Sequence, residues 1–284
     1  MTTFPVLQDQ LRLNTFKKGE LPLYITHYAI SSYPNHHHEF AEISLITSGQ
    51  GTEIVNGAEH RLKPGSICLL PPYHLHALKT EGEPLYKFCC MFDMNLLFQP
   101  EFAEIGRWLV QMSDEKTPFY DLATPQYESI HAVLSVILHE YASQSPGKQG
   151  FMRIKLYEAL YLFFRHHPGF ASLGQTVAPQ PEEWDFVKYV NTHFMDETIS
   201  LEQMAGKYGV SVFVVRNAFK RLIGKNFLEY LHQLRIRRAS SLLTATDMSV
   251  AEIAYDVGFS SLRSFTRVFK QTTGTSATDY RKQQ

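Results

Sequence analysis

Between residue 1 and about 98, apolar positions fall in short runs divided by turn residues. Tyr24–Ile30, Glu42–Thr47, Thr52–Val55, His60–Leu62, Ser66–Leu70 and Tyr86–Phe92 read as strands. Pro34-Asn35, Ser48-Gly49-Gln50-Gly51, Asn56-Gly57, Pro64-Gly65 and Pro71-Pro72 read as the turns between them. Asn56-Gly57 is the sharpest of these, because a type I′ turn needs positive φ at both central residues. Many short strands with close turns predict a small β-barrel or jelly roll. From Glu101 to Pro168 the apolar spacing becomes helical. Ile105, Leu109 and Met112 mark a short helix. Ile130, Leu134, Ile137, Leu138 and Tyr141 mark a longer one, and Leu156, Leu160, Phe163 and Phe164 a third. Ser145-Pro146-Gly147 separates the last two. Ala171–Pro181 holds Gly174, Pro179 and Pro181 with no apolar period, the composition of a linker.

Beyond the linker, Trp184, Val187, Val190 and Phe194 predict one helix with a buried stripe. The chain then says nearly the same thing twice. Glu202–Gly224 reads EQMAGKYGVSVFVVRNAFKRLIG, and Ala251–Gly274 reads AEIAYDVGFSSLRSFTRVFKQTTG. Ala205 matches Ala254 and Gly209 matches Gly258 at one offset, whereas Phe219-Lys220 matches Phe269-Lys270 one residue further on, so the second copy carries an insertion. Ser200 with Gln203, and Ser249 with Glu252, fit the capping-box pattern. Gly209 and Gly258 stand where the first helix of each copy must stop. Ser211 and Ser260 then suit the cap of the next helix. That helix buries Val215, Ala218, Phe219 and Leu222 in the first copy and Phe265, Val268 and Phe269 in the second. The opposite face is left to touch something else. Asn226–Ala245, with Phe227, Leu231, Leu234, Ala239 and Leu242 as its stripe, predicts one long helix between the copies. Arg235, Arg237 and Arg238 on it either touch phosphate or solvate the helix.

The run IAYDVGF (Ile253–Phe259), the run FTRVFKQTTG (Phe265–Gly274), the closing Tyr280-Arg281 and the connecting LRIRRASSLL (Leu234–Leu243) resemble the DNA-binding domain of the AraC/XylS family of bacterial transcription regulators. The resemblance spans about Glu183–Lys282. Ala277 stands where that family usually has proline, and Arg263-Ser264 replaces its usual Ser-Tyr pair. The resemblance implies two helix-turn-helix units on double-stranded DNA, with the exposed start of each second helix in a major groove. Phe213, Arg216 and Asn217 would face bases in the first copy, and Leu262, Arg263 and Arg267 in the second. Arginine suits guanine, asparagine suits adenine, and an apolar side chain meets the thymine methyl. Lys220, Lys270, Ser211 and Ser260 fall toward the DNA backbone. Grooves on one face of B-DNA recur about every 34 Å, so a rigid connecting helix would let one chain read two of them.

In the first hundred residues, His36-x-His38-x3-Glu42-x6-Gly49 resembles the first cupin motif, and Leu62-Lys63-Pro64-Gly65 followed by Leu70-Pro71-Pro72 and His74-x-His76 resembles AraC-type ligand-binding domains. On an extended chain His36 and His38 share one face and His37 the other, exposed one. His36, His38, Glu42 and His76 thus admit two readings. They form a three-histidine, one-carboxylate metal site, or they line a barrel mouth and hydrogen-bond a polar effector. The resemblance favours the second, since barrels of this family generally sense a small effector, often a sugar, with no metal or cofactor. The helices after the barrel often form a dimer interface in that family, which singles out Tyr127–Tyr141 as the homodimer candidate.

Charge adds a little. Residues 183–284 carry 14 Lys+Arg against 10 Asp+Glu, whereas residues 1–182 carry 13 against 18, so the excess positive charge lies in the half expected to meet phosphate. No run reaches the ~18 apolar residues of a membrane span, and the start of the chain lacks a signal peptide's pattern. Three cysteines, Cys68, Cys89 and Cys90, suit packing in a reducing, cytoplasmic compartment. The sequence therefore predicts an α+β multidomain protein. Residues 1–170 form a cupin-like β-barrel with following helices, 171–182 a linker, and 183–284 an all-α domain with two helix-turn-helix units. The predicted function is sequence-specific regulation of transcription under a small-molecule effector; the resemblance implies activation by contact with RNA polymerase, and repression is equally compatible with the sequence. The rival is a metal-dependent cupin enzyme, an oxygenase or isomerase, with accessory DNA binding.

Overall fold

The computed structural model describes residues 6–8, 21–55, 58–99, 102–112, 118–169 and 181–282. Contacts divide the chain into two compact units. One comprises Gln8–Leu97 with Glu104–Ala178; the other comprises Pro179–Gln284 with Met1–Leu7 and Phe98–Ala103.

After a short strand β1 (Val6–Gln8), the first unit is built on β2 (Leu23–Ile30), β3 (Ser32–His38), β4 (Ala41–Ser48), β5 (Gly51–Val55), β6 (Ala58–Leu62), β7 (Ser66–Leu70), β8 (His76–Thr80), β9 (Leu85–Phe92) and β10 (Phe119–Asp121). One sheet runs β10-β7-β4-β9-β2, and in the other β3, β8, β5 and β6 follow in that order. Their pairs are antiparallel. The sheets close on shared apolar side chains. Ile30, Ile46 and Leu85 of the first meet Leu62 and Leu78 of the second, and Val55 meets Cys68 and Leu70. This is the expected barrel-like architecture. Strands β1, β3, β8 and β10 have no counterpart among the strands read from the sequence. Pro34-Asn35, expected as a turn, lies within β3, whose register with β8 breaks between Tyr33 and His36. Proline has no N–H to offer a ladder, so a strand accepts it at such an irregularity. Asn56-Gly57 lies outside the described residues.

Helices α1 (Ala103–Met112), α2 (Thr124–Ala142) and α3 (Lys148–His166) follow; the predicted stripes of α1 and α3 are buried, whereas in α2 Ile130, Leu134 and Ile137 are buried and Leu138 and Tyr141 only half-buried. Tyr141 of α2 meets Tyr24 of β2 edge-on at 5.8 Å, and the Tyr120 hydroxyl donates to the Phe163 carbonyl at 2.6 Å. Cys68, Cys89 and Cys90 are buried free thiols.

The second unit holds α4 (Pro181–His193), α5 (Leu201–Tyr208), α6 (Val212–Ile223), α7 (Phe227–Ala245), α8 (Val250–Asp256), α9 (Leu262–Thr273) and α10 (Ala277–Lys282). The expected linker falls outside the described residues up to 180, and α4 begins at Pro181. Pairs α5–α6 and α8–α9 are the two helix-turn-helix units. Capping follows the sequence with two corrections. Ser249 and Glu252 form a full reciprocal box, but Ser200 only accepts from the Gln203 N–H, while the Gln203 side chain turns to Thr198. Ser211 caps α6 as expected, but the cap of α9 is Ser261, not Ser260. The inserted residue explains this. Gly209-Val210-Ser211 becomes Gly258-Phe259-Ser260-Ser261, and Phe259 fills the core with Phe265, Val268 and Phe269.

Arg235 also differs from expectation. It is buried, and its Nε and Nη2 donate to the carbonyls of Phe194 and Asp196 at 2.7 and 2.8 Å, so it neither reaches phosphate nor solvates α7. Beside it Gly258, at φ +95°, lies so close to the Met195 carbonyl that an added Cβ would sit 2.6 Å from that oxygen. The second helix-turn-helix is thus seated on the α4–α5 turn of the first. Arg281 likewise ties α10 back to the Leu243 and Met248 carbonyls.

Candidate functional site

Within the first unit, a cavity of about 370 Å³ opens between the two sheets. Tyr24, Thr26, Tyr28, Ile30, Lys87, Met91 and Glu42 line it from β2, β9 and β4, and Tyr33, His36, Glu53, His76 and Leu78 from β3, β5 and β8. Strand alternation explains the mixture, because each strand sends every second residue inward. Its centre is charged. Lys87 Nζ donates to Glu42 Oε1 at 3.1 Å, both groups being almost wholly buried. Burial alone would neutralise Glu42, but the Lys87 ammonium beside it prevails and holds the carboxyl well below its usual range. Lys87 is held well above the lysine range by Glu42, again against burial. Glu53 is different. Burial pushes its carboxyl up to about 7, opposed by Lys87, and its Oε1 has no hydrogen-bond partner.

His36 and His76 are neutral for the same reason. Burial and the neighbouring His38 hold His36 down to about 4, and burial holds His76 well below the imidazole range. Each of the three predicted histidines has its Nδ1 against a backbone carbonyl: His36 with Pro34 at 3.0 Å, His38 with Phe40 at 2.8 Å, His76 with His74 at 3.1 Å. A carbonyl only accepts, so Nδ1 carries a proton in each, and in neutral His36 and His76 Nε2 keeps its lone pair. Of the four predicted effector residues, His36, Glu42 and His76 stand on the cavity wall. His38 is fully buried, with Nε2 3.4 Å from Glu42 Oε2. His38, Glu42 and His76 each offer one ligand atom within 4.8 Å of the others, close enough to hold a metal ion.

His37, expected on the exposed face, is also buried, because the chain at the end of β3 is covered on both sides. Sequence reasoning missed Lys87, Glu53 and the tyrosines. A signal existed for the first two. Each is a lone charge inside an otherwise apolar or alternating strand, Tyr86–Phe92 or Thr52–Val55, where an isolated charge requires a partner. His60, which the sequence linked to nothing, stacks on Phe119 and lies 3.5 Å from Asp121, itself bound by Lys63 and Ser66. That outer cluster is separate from the cavity.

In the second unit, α6 and α9 bury one face and present the other. Phe213, Arg216, Asn217 and Lys220 are exposed on α6, and Leu262, Arg263, Arg267 and Lys270 on α9. Phe213 is 67% exposed on this face, with Val214 beside it also exposed. Ser211 is occupied as the α6 cap, and Ser260 stays exposed before the α9 cap. Helix α7 has 19 residues, which at 1.5 Å per residue is about 28 Å.

Residues 19–160 match the family profile described as AraC-like ligand binding domain, half of the chain, and residues 204–283 match a helix-turn-helix domain profile. The transcriptional activator RhaS of Yersinia pestis (strain Pestoides F) is 24% identical over 264 residues, covering 89% of this chain and 90% of that protein. RhaS of Escherichia coli O127:H6 is 24% identical over 258 residues, covering 89% and 88%. Among solved structures, ToxT from Vibrio cholerae covers 92% of this chain and 98% of its own at 15% identity, with a TM-score of 0.42. The match over half the chain, followed by two helix-turn-helix units, places this protein in the AraC/XylS family of transcription regulators.

Proposed function

We propose that this protein is an activator of transcription whose two helix-turn-helix units read adjacent major grooves, under the control of a small polar effector held in the barrel cavity. The duplicated arginine-bearing face carries this reading: α6 and α9 each expose basic and apolar side chains opposite a buried stripe. Phe213, Arg216 and Asn217, with Leu262, Arg263 and Arg267, are its base contacts. Lys220 and Lys270 are backbone contacts that add salt-dependent affinity without sequence choice. Arg235 has no such role, since it is spent on carbonyls within the unit.

The cavity supports a hydroxyl-bearing effector, a sugar among the candidates. Its ion pair is internally neutral, its histidines are uncharged, and three tyrosines and Glu53 supply hydrogen-bonding groups at its wall. His36, Glu42 and His76 would contact the effector, with His38 behind Glu42. The protein acts as an activator by contact with RNA polymerase and not as an enzyme, and it works in the cytoplasm; among the described residues no helix is long and apolar enough to cross a membrane. Helix α2, within Tyr127–Tyr141, is the proposed homodimer contact, supported by exposed Val136.

A thermal-shift screen of sugars, polyols and hydroxy acids against the full-length protein tests the effector half. A compound that raises the unfolding midpoint and also changes affinity for bound DNA is the expected result, because an effector must bind the two states unequally. Compounds that stabilise the protein but leave DNA affinity unchanged would refute control through the cavity.

A further inference from the structure

We propose that His38, Glu42 and His76 form a binding site for one divalent transition-metal ion, which ties the two sheets together at the wall of the cavity. The site goes beyond the effector reading and stands without it. It departs from the metal-free sensing that the family resemblance implies.

Four observations carry it. His38 and His76 come from β3 and β8 of one sheet and Glu42 from β4 of the other, and their ligand atoms gather within 4.8 Å. Both imidazoles are held from behind by the Nδ1 contacts to Phe40 and His74. Such outer contacts orient a metal-binding histidine and fix its tautomer. Glu42 is held the same way: Lys87 takes Oε1 and leaves Oε2 facing His38. Lastly, His38 Nε2 is buried with no hydrogen-bond partner, although Glu42 Oε2 lies 3.4 Å away.

That last pair cannot be an ordinary hydrogen bond of a neutral histidine. With His38 neutral and its proton on Nδ1, both Nε2 and Oε2 are acceptors, and two buried acceptors face to face leave a place that a metal cation would fill. A tetrahedral ion about 2.0–2.1 Å from each of two donors leaves those donors about 3.4 Å apart, and the observed gap has that length. Two imidazole nitrogens and one carboxylate oxygen suit zinc and the other first-row divalent ions more than calcium or magnesium, which take oxygen alone. His36, whose ring lies 3.9 Å from that of His76, is adjacent but is not needed as a ligand. The competing account is that His38 is an imidazolium, protonated on both nitrogens and ion-paired to Glu42.

Cobalt(II) is the probe. Full-length protein is freed of metal with a chelator and titrated with Co²⁺ while its visible spectrum and thermal midpoint are followed. The proposal expects ligand-field bands that saturate at one equivalent, a rise in midpoint, and displacement of the bands by Zn²⁺. His38→Gln and His76→Gln should each weaken binding at least a hundredfold, whereas His60→Asn, in the outer cluster, should leave it unchanged. Absence of saturable bands from the wild-type protein would overturn the site, whether or not the variants fold, and would leave the imidazolium account. Bands that persist in both His38→Gln and His76→Gln would overturn it too, by placing the ion elsewhere.

Discussion

Replacing one glycine in each helix-turn-helix by alanine separates backbone strain from docking. Gly209 and Gly258 occupy matching places after the first helix of each unit, at φ +66° and +95°. Nothing lies within 4 Å of a Cβ built on Gly209, so Gly209→Ala meets only the left-handed backbone. That costs about 1–2 kcal/mol, partly offset by about 0.4–1 kcal/mol from a stiffer unfolded chain. At Gly258 the Cβ would lie 2.6 Å from the Met195 oxygen and 2.9 Å from its carbon, with Arg235 Cζ at 3.1 Å. The obstructing atoms are backbone, and Arg235 fixes the same turn through Phe194 and Asp196, so the turn cannot simply yield. Overpacking adds about 1–3 kcal/mol, which brings the expected loss for Gly258→Ala to about 3 kcal/mol against about 1 kcal/mol for Gly209→Ala. Trp184 belongs to the helical unit and Trp108 to the barrel unit. Urea unfolding followed by Trp184 fluorescence, in a Trp108→Phe background, therefore reads the relevant unit. Gly258→Ala should also lower affinity for a two-groove DNA site more than for a single half, since it unseats one recognition helix from the other. Equal losses for the two alanine variants, within about 0.5 kcal/mol, would refute the docking of Gly258 on the α4–α5 turn.

Three further outcomes follow from the same structure. Ser261→Ala should cost about 1 kcal/mol in unfolding free energy as the loss of a helix cap, with Ser260→Ala near zero; the reverse order by chemical denaturation would restore Ser260 as the cap. Glu53 has a folded pKa of about 7 against an ordinary 4.5, so the folded chain holds a proton that the unfolded chain has released. Its stabilisation is complete below about pH 4.5 and fades as pH rises through 7. Glu53→Gln should flatten that fall and, at pH 8, stabilise metal-free protein by up to about 3 kcal/mol; a midpoint gap that does not vary between pH 5 and 8 would count against it. Arg263→Ala should cost about 1–3 kcal/mol on the cognate site and relax base preference there, and Arg216→Ala should do so at the other half of the site; an equal loss on random DNA would make either residue a phosphate contact.

The helical unit was legible in the sequence almost to the residue because its signals are local. Caps, glycine stops and apolar stripes each act within a few positions, and the duplication repeats them. The exceptions are where geometry depends on distant chain. Ser260 and Ser261 look alike until the insertion is placed in the turn. Arg235 reads as a surface cation, because the carbonyls it binds lie some forty residues earlier. The barrel was legible as strands and turns, but Pro34-Asn35 hid β3, and β8 reads His76-Ala77-Leu78-Lys79-Thr80, in which polar and apolar positions do not alternate. In the cavity, His36, Glu42 and His76 were found through a spaced motif. Lys87 and Glu53 were not, since their partners come from other strands and only the closed sheets bring them together.

The most direct measurement is selection of bound sequences from a random DNA pool with the full-length protein, repeated with Arg216→Ala and Arg263→Ala. The account predicts an asymmetric motif with two parts about one helical turn apart, one part degraded by each variant. Salt-sensitive binding with no motif, or a motif that neither variant alters, would contradict it.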